Sequence, residues 1–202
     1  MAERQYHRDM EAALQGFAER RPRLLLHVCC APCASAALEA LMPRAELTLL
    51  YYNPNIRPVA EYEKRLEALK RLLAATDGAG GIPLLAFGYD AAAFDAAAAG
   101  LLNEPEGGAR CDACFRLRLR YTARLAAAGN FDFFCTTLTV SPHKNAVHIN
   151  TVGEEQAAIC GVPWLPSDFK KRDGYRRSVA LSVRYGLYRQ IYCGCLPPGE
   201  ML

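Results

Sequence analysis

Four short apolar, β-rich runs alternate with helix-patterned segments along this chain, and that alternation restricts it to few architectures. RLLLHV (23–28), ELTLLYYN (46–53), IPLLAFGY (82–89) and FDFFCTTLTV (131–140) read as strands. CASAALEALM (33–42), VAEYEKRLEALKRLLAAT (59–76) and residues 111–128, which stop at Gly129, read as helices. Asp90 stands where a helix cap belongs, ahead of an alanine-rich stretch, and residues 141–160 and 177–188 add two more helical segments. Strand–helix alternation predicts an α/β fold with a mainly parallel sheet and flanking helices, Rossmann-like in outline. The chain has 202 residues, 51% hydrophobic and 22% charged, which is material for one domain. The expected layout is a helical extension over 1–22, an α/β catalytic body over 23–195 and a short tail over 196–202.

Seven of the nine cysteines fall into three tight clusters: Cys29, Cys30 and Cys33 in HVCCAPC, Cys111 and Cys114 in CDAC, and Cys193 and Cys195 in YCGC. Isolated core cysteines act as small hydrophobes, the reading for Cys135 and Cys160. Thiols one to three residues apart, repeated in three places, are how a chain converges thiolates on metal. Disulfide scaffolds belong to secreted chains under about 80 residues that lack a core. The charged, amphipathic N-terminal segment does not resemble a signal peptide, and no run reaches membrane-span length, so the expectation is a cytoplasmic protein with reduced thiols and no membrane partner.

Seven thiolates exceed the four that one cluster or one structural zinc takes. Cys29 and Cys30 are adjacent, and neighbours in extended backbone point to opposite sides, which makes one ion an awkward target for both. Cys30 and Cys33 share a face over a helix start. The count therefore points to two centres, or to a cluster beside a redox-active thiol pair, and favours iron–sulfur over zinc. A structural-zinc RNA-binding protein and a thiol–disulfide oxidoreductase stay open as alternatives.

In open α/β sheets ligands bind beyond the carboxyl ends of the strands. HVCCAPC, YNPN and TTLTVSPHKN all follow predicted strands, and HVCCAPC occupies the slot of a glycine-rich phosphate loop. Around them, Asn53, Asn55, Glu61 and Tyr62 are candidates for hydrogen-bonding a polar substrate, although Asn-Pro-Asn equally suits a tight turn. His143 and Lys144, at a helix opening, suit an anion or a proton transfer. His27 reads as a satisfied core histidine. Net charge is only +3, so nucleic-acid affinity needs local patches; Arg116, Arg118, Arg120 and Arg124, and Lys170, Lys171, Arg172, Arg176 and Arg177, qualify, or are solvated helix faces. Tyr188 and Tyr192 add aromatic faces of the kind that stack on unpaired bases.

At HVCCAPC (27–33), YYNPNIRPVAEYEKR (51–65), RCDACFRLRL (110–119), TTLTVSPHKN (136–145) and LYRQIYCGC (187–195) the chain resembles the cobalamin-independent epoxyqueuosine reductases of QueH type. The blocks run in order from about residue 24 to 195. The resemblance implies the last step of tRNA queuosine biosynthesis, with epoxyqueuosine in an anticodon loop as substrate. It also implies a HUP-like fold, a 4Fe-4S cluster with a nearby single iron, and no cobalamin. In this family the third thiol position of the first motif can be an aspartate; Cys33 stands there in this chain. The expected ligand division is Cys30, Cys111, Cys114 and Cys195 for the cluster, and Cys29, Cys33 and Cys193 for the second metal. Ser141, Asn145, Arg176 and Gln190 join the substrate candidates.

Opening an epoxide to an alkene and water consumes two electrons and two protons, while a 4Fe-4S cluster delivers one electron at a time. An external low-potential donor is therefore required, together with a second redox centre or two reduction cycles. The expected Lewis acid is the second iron, which makes the epoxide oxygen a better leaving group. Tyr192, Lys144, His143 and Asp112 are the candidate proton donors.

Overall fold

The computed structural model describes residues 4–17 and 19–195; the expected tail at 196–202 lies outside the described residues. Among the described residues seven α-helices and four strands follow the order α1 (Tyr6–Gln15), β1 (Arg23–His27), α2 (Ala31–Leu41), β2 (Glu46–Tyr51), α3 (Val59–Ala75), β3 (Leu84–Ala86), α4 (Ala91–Ala97), α5 (Ala109–Ala128), β4 (Phe133–Thr136), α6 (Ala146–Cys160) and α7 (Gly174–Arg184). The four strands form one all-parallel sheet in the order β3-β2-β1-β4. β1 is central, and Leu24, Leu25, Leu26 and His27 are all fully buried. Parallel strands covered on both faces need such unbroken apolar runs.

The strand order fixes where the site lies. From β1 the chain winds outward through β2 and β3, then returns to the other side of β1 as β4. That reversal makes the carboxyl ends of β1 and β4 a topological switch point, where adjacent loops part and leave a crevice. His27 at the end of β1 pairs in register with Thr136 at the end of β4, and the backbone N–H of Cys29 donates to the Thr137 hydroxyl at 3.2 Å across the gap.

Two strands are shorter than the sequence suggests. Residues 131–140 give a four-residue strand and then a 3₁₀ turn over Thr137–Val140. There the Thr136 hydroxyl accepts from the Leu138 N–H at 3.2 Å, a side-chain bond that competes with the ladder. β3 keeps only three residues because it is the edge strand, paired with β2 alone. Residues 141–145 form a loop instead of opening the helix, since Asn145 caps α6 by accepting from the His148 N–H at 3.2 Å. α7 begins at Gly174, earlier than its pattern implies, and ends before Gly186, which has φ +58°.

α1 buries Tyr6, Met10 and Leu14. Met10 and Leu14 belong to the same apolar core as β1 and β2. α6 packs closely at Gly153, where a Cβ would lie 2.4 Å from the Trp164 ring.

Candidate metal centre

α2 starts one residue after the bend that holds Cys29, with Cys30 as its N-cap and Pro32 in its first turn. This turn brings the sulfurs of Cys29, Cys30 and Cys33 within 4.8 Å of one another. The Cys29 and Cys30 sulfurs are 3.8 Å apart. The expectation that adjacent cysteines diverge is thus corrected: Cys29 sits in a bend, so the strand rule of alternating sides does not hold there.

The other four thiols gather beside this trio. Cys111 and Cys114 lie on the first turns of α5, both buried. Cys114 and Cys195 pack with Phe94 and Ala98, and Cys193 lies against them. The Cys193–Cys195 loop is positioned by α3. Arg65 donates to the Cys193 carbonyl at 3.1 Å, and the Arg57 N–H donates to the Gly194 carbonyl at 2.8 Å. Gly194 has φ +91°, and a Cβ there would lie 2.9 Å from the Arg65 guanidinium. The conformation and the close approach both require glycine.

A cavity of about 370 Å³ opens over these sulfurs, lined by Cys29, Cys30, Cys33 and Cys193 together with Asn53, Asn55, Arg65, Arg118, Ser141, His143, Lys144, Gln190 and Tyr192. Cys29, Cys33 and Cys193 are half-buried, whereas Cys30, Cys111, Cys114 and Cys195 are buried. Sulfur hydrogen bonding from Cys30 and Cys33, with the Thr137 hydroxyl at 3.4 Å, holds the Cys29 thiol well below its usual range despite burial. The same contact pushes Cys30 up to about 12. Cys193 is likewise lowered, by Cys195 first and then by the charges of Lys144 and Arg118. In each group one sulfur is shifted toward thiolate, the metal-binding form. Buried acceptor atoms of Asn55 and Gln190, and one Arg65 nitrogen, lack partners at this wall. A cavity floored by cysteine sulfurs and fringed by unsatisfied polar atoms suits a bound metal group and a polar ligand.

The profile of the family described as epoxyqueuosine reductase QueH matches residues 24–197. The chain belongs to the QueH family. It is 42% identical over 183 residues to the epoxyqueuosine reductase QueH of Streptococcus pyogenes serotype M1, covering 90% of this chain and 72% of that protein. The relative from Staphylococcus epidermidis is 41% identical over 180 residues, covering 87% and 76% of the two chains. The one from Thermotoga maritima is 35% identical over 178 residues, covering 86% and 88%.

In this QueH-family chain the expected site residues divide. Asn53, Asn55, Ser141, His143, Lys144, Gln190 and Tyr192 reach the cavity. Glu61, Tyr62, Asp112, Asn145 and Arg176 are not part of its wall. Glu61 is spent in a buried ion pair with Arg65 and accepts from the Tyr188 hydroxyl at 3.1 Å. Tyr62 donates to the Phe87 carbonyl at 3.0 Å. Asp112 lies outside the cavity wall and, despite some burial, hydrogen bonds from Arg116 and His148 hold its carboxyl below the usual range. Asn145 caps α6 and faces a second cavity of about 610 Å³ lined also by Lys144, Lys170, Lys171 and Arg172. Arg176 is exposed beside Asp173.

The basic stretches change meaning as well. Arg118 is buried, not a surface phosphate ligand. Arg116 pairs with Asp112, Arg172 with Glu11 and Arg177 with Glu39. Among the described residues Arg120, Arg124 and Lys171 are exposed without a carboxylate partner. His27 is a satisfied core histidine, with its ring nitrogens 2.7 Å from the Thr136 hydroxyl and 3.1 Å from the Tyr52 carbonyl. Cys135 packs in the core, fully buried. Sequence reasoning missed Arg65, took Arg118 for a surface cation, and missed Thr137. The signal for the first two was present: Glu61 and Arg65 are four apart, and Cys111, Cys114 and Arg118 share one helical stripe. Among the described residues no helix is long and apolar enough to cross a membrane.

Proposed function

We propose that this chain reduces the epoxide of epoxyqueuosine, carried at the wobble position of tRNA, to the alkene of queuosine. Four thiols lining one cavity, three of them within 4.8 Å of one another, in a QueH-family chain, carry the reading. The balance is epoxide plus two electrons and two protons to alkene and water, with electrons from an external low-potential donor. We assign the four buried sulfurs, Cys30, Cys111, Cys114 and Cys195, to a 4Fe-4S cluster and the half-buried Cys29, Cys33 and Cys193 to a second iron, with Cys30 lining the cavity beside them. When bound, the cluster supplies electrons singly, and the second iron supplies a Lewis acid for the departing oxygen.

The chain's own groups do the rest. Asn53, Asn55, Ser141 and Gln190 orient the polar substrate from the cavity wall. Lys144 lies 3.9 Å from the Cys193 sulfur and 3.3 Å from Glu106. Burial opposes its charge, but Cys193 and Glu106 outweigh that and raise its pKa, so it holds its proton tightly. This favours Tyr192 and His143, which also line the cavity, as proton donors. A splayed anticodon-loop base enters such a pocket at modest unstacking cost. Arg120, Arg124 and Lys171 are the cations free to meet its phosphates.

An anaerobic assay with a strong reductant and epoxyqueuosine-containing tRNA, read by nucleoside mass, tests the reading. Queuosine is the expected product, and its absence from protein fully loaded with iron and sulfide removes the claim. Colourless protein with stoichiometric zinc would instead identify a structural-zinc RNA binder. Thiol exchange without metal or tRNA would identify a thiol–disulfide oxidoreductase.

A further inference from the structure

Arg118 is a buried cation without an acid. It is 3% exposed, and among the described residues no carboxylate pairs with it. Its Nε donates to the Cys114 carbonyl at 3.3 Å and its Nη1 to Asn53 Oδ1 at 3.4 Å, two long bonds to neutral acceptors. Burying a charge is costly unless an opposite charge compensates it. Spacing shows where the compensation lies. Cys111, Cys114 and Arg118 occupy positions i, i+3 and i+7 on α5, so the guanidinium continues the stripe that carries two thiols. It also lines the cavity wall that holds Cys29, Cys33 and Cys193. Asn53, which accepts from it, donates to the Val28 carbonyl at 2.9 Å, tying the guanidinium to the backbone just before Cys29.

We propose that Arg118 is the fixed counter-charge of the thiol centre, a positioning residue that shares a helical stripe with Cys111 and Cys114 and a cavity wall with Cys29, Cys30, Cys33 and Cys193, and that raises the potential at which the bound cluster accepts an electron. The inference rests on the reading that these thiols hold an iron–sulfur cluster. Reduction adds negative charge, and a nearby buried cation favours the more negative state because the interior screens poorly. Despite its burial, the neighbouring sulfurs of Cys114, Cys193, Cys29 and Cys111 favour the charged form of the guanidinium. Members of both thiol groups thus share one cation.

The test is an anaerobic redox titration, followed by electron paramagnetic resonance, of wild type, Arg118→Met and Arg118→Lys, each assayed first for iron, acid-labile sulfide and metal-free melting temperature. Methionine fills the volume without charge, and apolar replacement of a buried ion is often neutral or stabilising, so folding is expected to survive. In Arg118→Met the midpoint should move negative by at least tenfold in the one-electron equilibrium, about 59 mV. Arg118→Lys should stay near wild type. A folded Arg118→Met that fails to load while Arg118→Lys loads supports the same requirement for charge. A loaded Arg118→Met with the wild-type midpoint overturns the inference, as do two folded variants that both fail to load. Wild-type protein without acid-labile sulfide would instead remove the cluster reading on which the inference rests.

Discussion

Arg65 and Glu61, one turn apart on α3, form a buried ion pair with Nε to Oε1 at 2.7 Å and side chains only 3% and 8% exposed. The same guanidinium donates to the Cys193 carbonyl, so the pair joins the packing of α3 to the loop that carries two thiols. Glu61→Ala strands the Arg65 charge in the interior. The expected cost is about 3–5 kcal/mol, with reduced iron retention as the loop loosens. Urea denaturation and an iron assay check this, and a variant with wild-type stability contradicts it.

The thiols should separate by metal content. Cys114→Ser or Cys111→Ser is expected to abolish both visible absorption and acid-labile sulfide, because each removes a buried ligand. Cys33→Ser is expected to keep the sulfide and lose only iron that is not sulfide-bridged. Equal sulfide loss in the two classes would overturn the division, and unchanged iron and sulfide in Cys111→Ser would refute that ligand.

Lys144 faces the Cys193 sulfur with its proton tightly held. Lys144→Met should lower kcat by about 10²-fold, the scale of losing one well-placed electrostatic group. Lys144→Arg should recover most of it if charge is what matters. An arginine variant as slow as the methionine one would return Lys144 to the role of proton donor.

His27 should make stability pH-dependent. Burial holds its folded pKa down to about 4, against about 6.5 in an unfolded chain. Between those values the unfolded chain binds a proton that the folded chain refuses, so stability falls as pH drops through that window, by about 3 kcal/mol in all. Above about pH 6.5 this contribution is flat. Denaturation of metal-free protein at pH 7.5 and 5, compared with His27→Gln, checks it; an identical pH dependence in both proteins would show that another group is responsible.

The α/β class, the parallel sheet and the thiol inventory are legible in the chain because they depend on local periodicity and spacing. β1, with four consecutive fully buried residues, declares itself central. The end of β4 does not, since Thr136 and Thr137 carry good strand propensity, and only their side-chain bonds across to Leu138 and Cys29 turn the chain. The basic run on α5 illustrates the other failure. Arg116, Arg118 and Arg120 look equivalent in the sequence, yet their directions around the helix differ by roughly 200° per two residues, and packing sends Arg118 inward alone.

By itself, then, the sequence determined which chemistry the chain possesses: seven thiols in three clusters, the first of them set directly after a strand. Only the tertiary structure decided which thiols line the cavity, that Glu61 pairs with Arg65 in the interior, and that Arg118 is buried while Arg116 and Arg120 are exposed. The physical reason is that periodicity assigns a residue to a face of its own element, whereas the neighbour across that face comes from a distant part of the chain and is chosen by packing.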